Sequence, residues 1–163
     1  YSNTIDKLII KLPLLSSGWK VPGLLLFLSG MVMLYAYFTG HKPEWLVTKV
    51  FAFASFYGEP RYFAVIQTNL LDEMGSVFTI FGLLILFFSK LRHEDGAIHT
   101  QLRIKALVHA VWITSFIWLA IFILIYGYAI FLAATAVFGL FLLYCNIHFH
   151  LQLLLLKRKR KSR

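Results

Sequence analysis

The chain has 163 residues, enough for one ordinary domain, yet 60% of them are hydrophobic and only 14% charged, against roughly 45–50% and about 25% in soluble domains. This balance excludes an ordinary soluble domain, and several apolar runs reach the roughly 18 residues of a membrane-spanning helix. The net charge of +9 flanks those runs and gathers at the C-terminal end, which reports membrane topology and anionic-lipid contact rather than a nucleic-acid partner.

Residues 4–16 carry Ile5, Leu8, Ile9 and Leu12 at helical spacing, with Asp6, Lys7 and Lys11 opposite. That pattern predicts a short helix lying in the headgroup layer, ended by Pro13. The chain begins at Tyr1 rather than Met, so trimming of N-terminal sequence is expected. Trp19 and Lys20 mark an interface, and residues 21–39 form the first predicted span, with Pro22 in its first turn and Gly40 just past its end.

Residues 41–73 form the predicted outer loop. Leu46, Val50, Phe53 and Tyr57 recur at helical spacing, predicting an aromatic interfacial helix over 44–57 that Gly58-Glu59-Pro60 terminates. The second span covers 72–89, where Asp72 and Glu73 complement the positive end of its dipole. A charged run over 90–105 separates it from the third span, 106–125. Tyr126-Gly127-Tyr128 makes a short turn into the fourth span, 129–156, and a basic tail follows over 157–163. The expected fold is all-α: an integral membrane four-helix transmembrane bundle, in one membrane domain, with short interfacial amphipathic helices.

An even number of spans puts both termini on one side. Lys and Arg divide 13 to 3 in favour of the side holding the termini and the 90–105 loop, which predicts that this side is cytoplasmic and the membrane the inner one.

Four groups of residues are candidates for chemistry. The 90–105 loop gathers Arg92, His93, Glu94, Asp95, His99 and Arg103, a docking surface for a partner in which His99 and Arg103, four apart, share a helix face. On the outer side Glu59, Asp72 and Glu73 form an acidic group suited to attracting cations or carrying protons. The tail cations Lys157, Arg158, Lys159 and Arg160 suit anionic lipid. His109, Cys145 and His148 fall near the cytoplasmic ends of adjacent antiparallel spans, and Cys145 and His148 are three apart, a spacing that can hold a transition metal or place axial haem ligands. A polar contact with Asn146 or Gln152 is the competing reading of these histidines. The small residues Ala133, Ala134, Ala136, Gly139 and Gly82 are expected to permit close helix packing.

From Asp72 to about Leu107 the chain shows an Asp-Glu pair, an apolar span, Phe88-Ser89-Lys90, Glu94-Asp95, Ile98 and Arg103. This pattern resembles a group of small four-span proteins common in Bacteroidota. The resemblance implies an inner-membrane location and points to Glu94, Asp95 and Arg103; it implies no reaction.

No Ser, His and Asp set in a suggestive context, no phosphate-binding Gly loop and no paired carboxylate within a span appears in the sequence. We therefore expect a non-catalytic membrane scaffold or subunit that docks a partner or anionic lipid through its cytoplasmic loop and tail, without a cofactor. Its partners would be the bilayer, anionic lipids, and other membrane proteins or further copies of itself. The alternatives are a small sensor or transport component, and a haem- or metal-binding membrane protein.

Overall fold

A computed structural model describes residues 12–55, 60–91, 96–125 and 129–161. Its elements are α1 (Lys20–Phe38), β1 (Val47–Ser55), β2 (Arg61–Asn69), α2 (Leu71–Phe88), α3 (Gly96–Leu124) and α4 (Ala129–Lys161). The chain is mostly helical. Four helical stretches among the described residues are long and apolar enough to cross a membrane: Ser17–Phe38, Leu71–Phe88, Ala97–Leu124 and Ala133–Lys159. At 1.5 Å per residue, the 29 residues of α3 extend about 43 Å, well beyond a hydrocarbon core of about 30 Å.

Three expectations are corrected. The outer loop holds a β-hairpin in place of the expected helix over 44–57: among its described residues, 44–55, a single 3₁₀ turn, Glu44–Leu46, is helical and the rest is strand, and 56–57 lie outside the described residues. Both strands are rich in Val, Thr, Phe, Tyr and Ile, residues that fit a pleated surface, and the helical spacing of Leu46, Val50, Phe53 and Tyr57 is incidental to that. The predicted 90–105 loop is mostly helix, because α3 begins at Gly96; nothing after that glycine breaks a helix, and the charges mark where the apolar stretch ends rather than where the helix does. At the start of the chain, residues 12–16 are not helical, since Pro13 withholds a backbone donor and fixes its own φ. The rest of the expected 4–16 helix lies outside the described residues.

The chain divides into two compact units, Leu25–Gly82, and Tyr1–Leu24 with Leu83–Arg163. In the first unit, α1 ends in a Schellman motif. Gly40 takes φ +80°, its N–H donates to Tyr37 O at 3.2 Å, and His41 N–H donates to Ala36 O at 2.9 Å, so the last carbonyls are satisfied. Gly30 of α1 meets α2 almost backbone to backbone: a Cβ there would lie 2.5 Å from both the N and Oγ1 of Thr79 and 2.8 Å from Gly75 O. A Cβ on Gly75 would in turn press on Leu34 at 3.1 Å. Gly75 and Thr79, four apart, form the small-residue groove that lets two helices approach closely.

The strands of the hairpin pair antiparallel, with Val47 opposite Asn69, Phe51 opposite Val65 and Ser55 opposite Arg61. Asn69 fastens the hairpin to its surroundings. Its Nδ2 donates to Pro43 O at 2.9 Å and its Oδ1 accepts from Leu71 N–H at 3.1 Å, so the side chain closes the outer loop and caps α2 at once. Leu70 alone separates β2 from α2.

In the second unit, α3 and α4 pack along an apolar stripe. Ala106 and Ala110 of α3 meet Cys145, Phe149 and Leu153 of α4, with Phe87 of α2 in the same cluster. The spacing 106–110 and 145–149–153 is that of one helix face, and the alanines let the larger residues interdigitate. Leu15 bridges to Ser89 in parallel, its N–H donating to Phe88 O and its carbonyl accepting from Lys90 N–H, both at 2.9 Å.

Candidate functional site

The last carbonyls of a helix have no partner inside it, and at the end of α2 they are collected by one buried cation. Arg103, on the second turn of α3, is 0% exposed. Its Nη1 donates to Phe87 O, and its Nη2 donates to Ser89 O at 2.9 Å. Phe88 O, between them, accepts from Leu15 N–H. The guanidinium carbon also sits 4.4 Å from the centre of the Phe149 ring, a cation–π geometry. Arg103 thus brings positive charge to the negative end of the α2 dipole, in a fork that lysine cannot reproduce. Ser89 is buried too, its hydroxyl donating to Ile85 O at 2.5 Å.

This geometry changes the expected docking surface. His99 and Arg103 share a face as predicted, but that face is buried with Thr100 between them. Arg103 is thus buried rather than on the exposed surface, with two of its nitrogens donating to backbone carbonyls. Arg92, His93, Glu94 and Asp95 lie outside the described residues, as does Glu59 of the outer acidic group. Asp72 and Glu73 stand in the first turn of α2, Asp72 half-buried and Glu73 exposed.

The histidines separate from the cysteine. His109 of α3 and His148 of α4 come together edge to face, ring centres 5.0 Å apart. Tyr144 stacks on His148 at 5.5 Å, and Gln152 Nε2 lies 3.3 Å from His148 Nε2, a polar contact within α4 rather than the contact between helices expected for these histidines. Cys145 is buried in the apolar cluster with Phe87 and Phe149. Two imidazoles supply two of the four ligands a zinc ion normally takes, and among the described residues no group of three or more His, Cys, Asp or Glu side chains converges to hold a metal.

Asn146 makes a polar tie in the same unit, its Nδ2 donating to Leu83 O at 3.1 Å and to Leu142 O at 2.9 Å. Its Oδ1 has no partner among the described residues, so replacement removes an unsatisfied acceptor along with two bonds. Asn146→Leu is expected to cost less than about 1 kcal/mol in denaturant unfolding of the detergent-solubilised protein, in keeping with the modest worth of polar contacts between apolar helices.

The basic end is helical. α4 continues without interruption from its apolar stretch through Lys161, and Lys157, Arg158 and Lys159 are exposed.

Several residues that build these sites were not singled out by the sequence. Phe149 and Phe87 read as two apolar residues among many, and Gly30 and Gly75 as isolated glycines. The available signal was that each glycine sits four residues from a partner in the contact, Leu34 and Thr79. Gly139, expected at a tight contact, has nothing within 4 Å of where its Cβ would be. No protein-family model, curated protein or solved structure matches this chain.

Proposed function

We propose that this chain is an integral inner-membrane protein of four spans with both termini cytoplasmic, and that it acts without catalysis as a scaffold or subunit engaging anionic lipid through the basic end of α4. The observation that carries this reading is the unbroken run of α4 from apolar residues into exposed Lys157, Arg158 and Lys159. A flexible tail would lose entropy on meeting a charged surface. A helix that already holds its cations at a fixed height above the apolar segment loses less. The 13 to 3 distribution of Lys and Arg supports the orientation.

The test neutralises the helix end with Lys157→Gln, Arg158→Gln, Lys159→Gln and Arg160→Gln together. Each cation near an anionic surface contributes about 1 kcal/mol at most, so the quadruple variant should lose on the order of 100-fold in preference for phosphatidylglycerol over phosphatidylcholine once salt screening is allowed for. Lipid competition on the purified protein, followed by native mass spectrometry, reads this directly. An unchanged preference contradicts the proposal.

A further inference from the structure

One face of the hairpin is apolar and uncovered. Successive strand residues alternate between faces, and the register puts Phe51, Phe53, Phe63 and Val65 on the same side, each between 58% and 71% exposed. Phe53 stacks edge-on against Phe51 at 5.4 Å and against Phe63 at 5.6 Å, so the rings form a continuous patch. On the opposite face Val50, Ala52, Ala64 and Ile66 are partly covered, while Thr48 and Tyr62 are exposed. Phe63 adopts φ +49°, a left-handed conformation that costs a bulky residue roughly 1–2 kcal/mol, and its ring is nevertheless directed outward. A lone two-stranded hairpin is marginal in water, and this one leaves its three phenylalanines on one face exposed.

Cations flank the patch. Lys49, opposite Gln67, stands at one end of the same face and Arg61, opposite Ser55, at the other. These four residues, with Val65 and with Ile66 of the opposite face, line a cavity of about 580 Å³; Ser55 is buried, so the two cations and the Gln67 amide are what an incoming group meets. A phosphodiester with apolar chains attached matches both halves of this arrangement. The depth is also set. With only Leu70 between β2 and α2, and Asn69 bonded on both sides of the join, the hairpin is held where an apolar helix begins.

We infer that the Phe51–Phe53–Phe63–Val65 face lies in the headgroup layer of the bilayer, with phospholipid phosphates drawn to Lys49 at one end and to Arg61 at the other. This rests on the membrane reading above. A surface that carries Phe on its apolar part and cations at its rim is what binds in that layer.

The test is depth-resolved fluorescence on the full chain reconstituted in phosphatidylglycerol–phosphatidylcholine vesicles, with the four native tryptophans changed to Phe and one reporter restored at a time. Phe53→Trp reports the hairpin, Phe51→Trp is a second reporter should the first fail to fold, and native Trp118 alone reports α3. The expected result is blue-shifted Phe53→Trp emission, quenched by lipids brominated near the headgroup and protected from aqueous iodide. Adding Lys49→Gln and Arg61→Gln should weaken that quenching in the anionic vesicles. Strong iodide quenching of Phe53→Trp, with Trp118 quenched by lipid, overturns the inference and leaves the membrane reading intact. Loss of lipid quenching at Trp118 as well overturns both. A blue shift that depends on protein-to-lipid ratio without lipid quenching overturns it in favour of a second copy on this face.

Discussion

Arg103→Ala should unfold the α2–α3–α4 unit markedly more readily than the wild-type chain, at a cost of about 2–6 kcal/mol from two stranded acceptors. The variant strands Phe87 O and Ser89 O at the end of a helix, where an unpaired buried acceptor costs about 1–3 kcal/mol. It also opens a void beside Phe149. Arg103→Lys keeps the charge but not the two-pronged donation, so it should fall between wild type and Arg103→Ala. Thermal or denaturant unfolding in detergent checks the order. If Arg103→Ala and Asn146→Leu proved equally mild, the role given to the guanidinium would be wrong.

The second large effect is at Gly30. Even Gly30→Ala brings a Cβ to 2.5 Å from Thr79 N and 2.8 Å from Gly75 O, and backbone atoms in two packed helices cannot step aside. Overpacking of this kind costs about 1–3 kcal/mol, and Gly30→Leu, with three further carbons, should exceed Gly30→Ala. Gly139→Ala is the matched control. It sits inside α4 with open space where its Cβ would be, and alanine is the better helix former by up to about 1 kcal/mol, so it should be neutral or slightly stabilising. The same unfolding assay compares them. Equal effects at Gly30 and Gly139 would mean that α1 and α2 do not meet closely through Gly30.

What could be read in advance follows from how far each signal reaches along the chain. Helix positions were legible because uninterrupted apolar length is local: α1 and α2 fall within a residue of the expected spans 21–39 and 72–89. Helix ends were less so. α3 and α4 both run into charged sequence at the ends expected to face the cytoplasm, because backbone hydrogen bonding does not stop where hydrophobicity does. The hairpin was hidden by coincidence: apolar residues at 46, 50, 53 and 57 satisfy a helical period, while the same stretch is rich in the β-branched and aromatic residues of a strand. The Arg103 site was legible only as a charged residue facing His99. Its partners lie 14 and 16 residues back in sequence and are backbone carbonyls, which no side-chain pattern announces.

The central claim is that the apolar helices cross a bilayer four times, leaving the outer turn and the basic helix end on opposite sides. The only native cysteine, Cys145, is buried, so single introduced thiols can be followed against a quiet background. Glu44→Cys and Lys159→Cys, both at exposed positions, would each be treated with a membrane-impermeant maleimide in intact spheroplasts and again after permeabilisation. Glu44→Cys should label at once and Lys159→Cys only after permeabilisation. Labelling of both from the same side, before any breach of the membrane, would contradict the four-span arrangement.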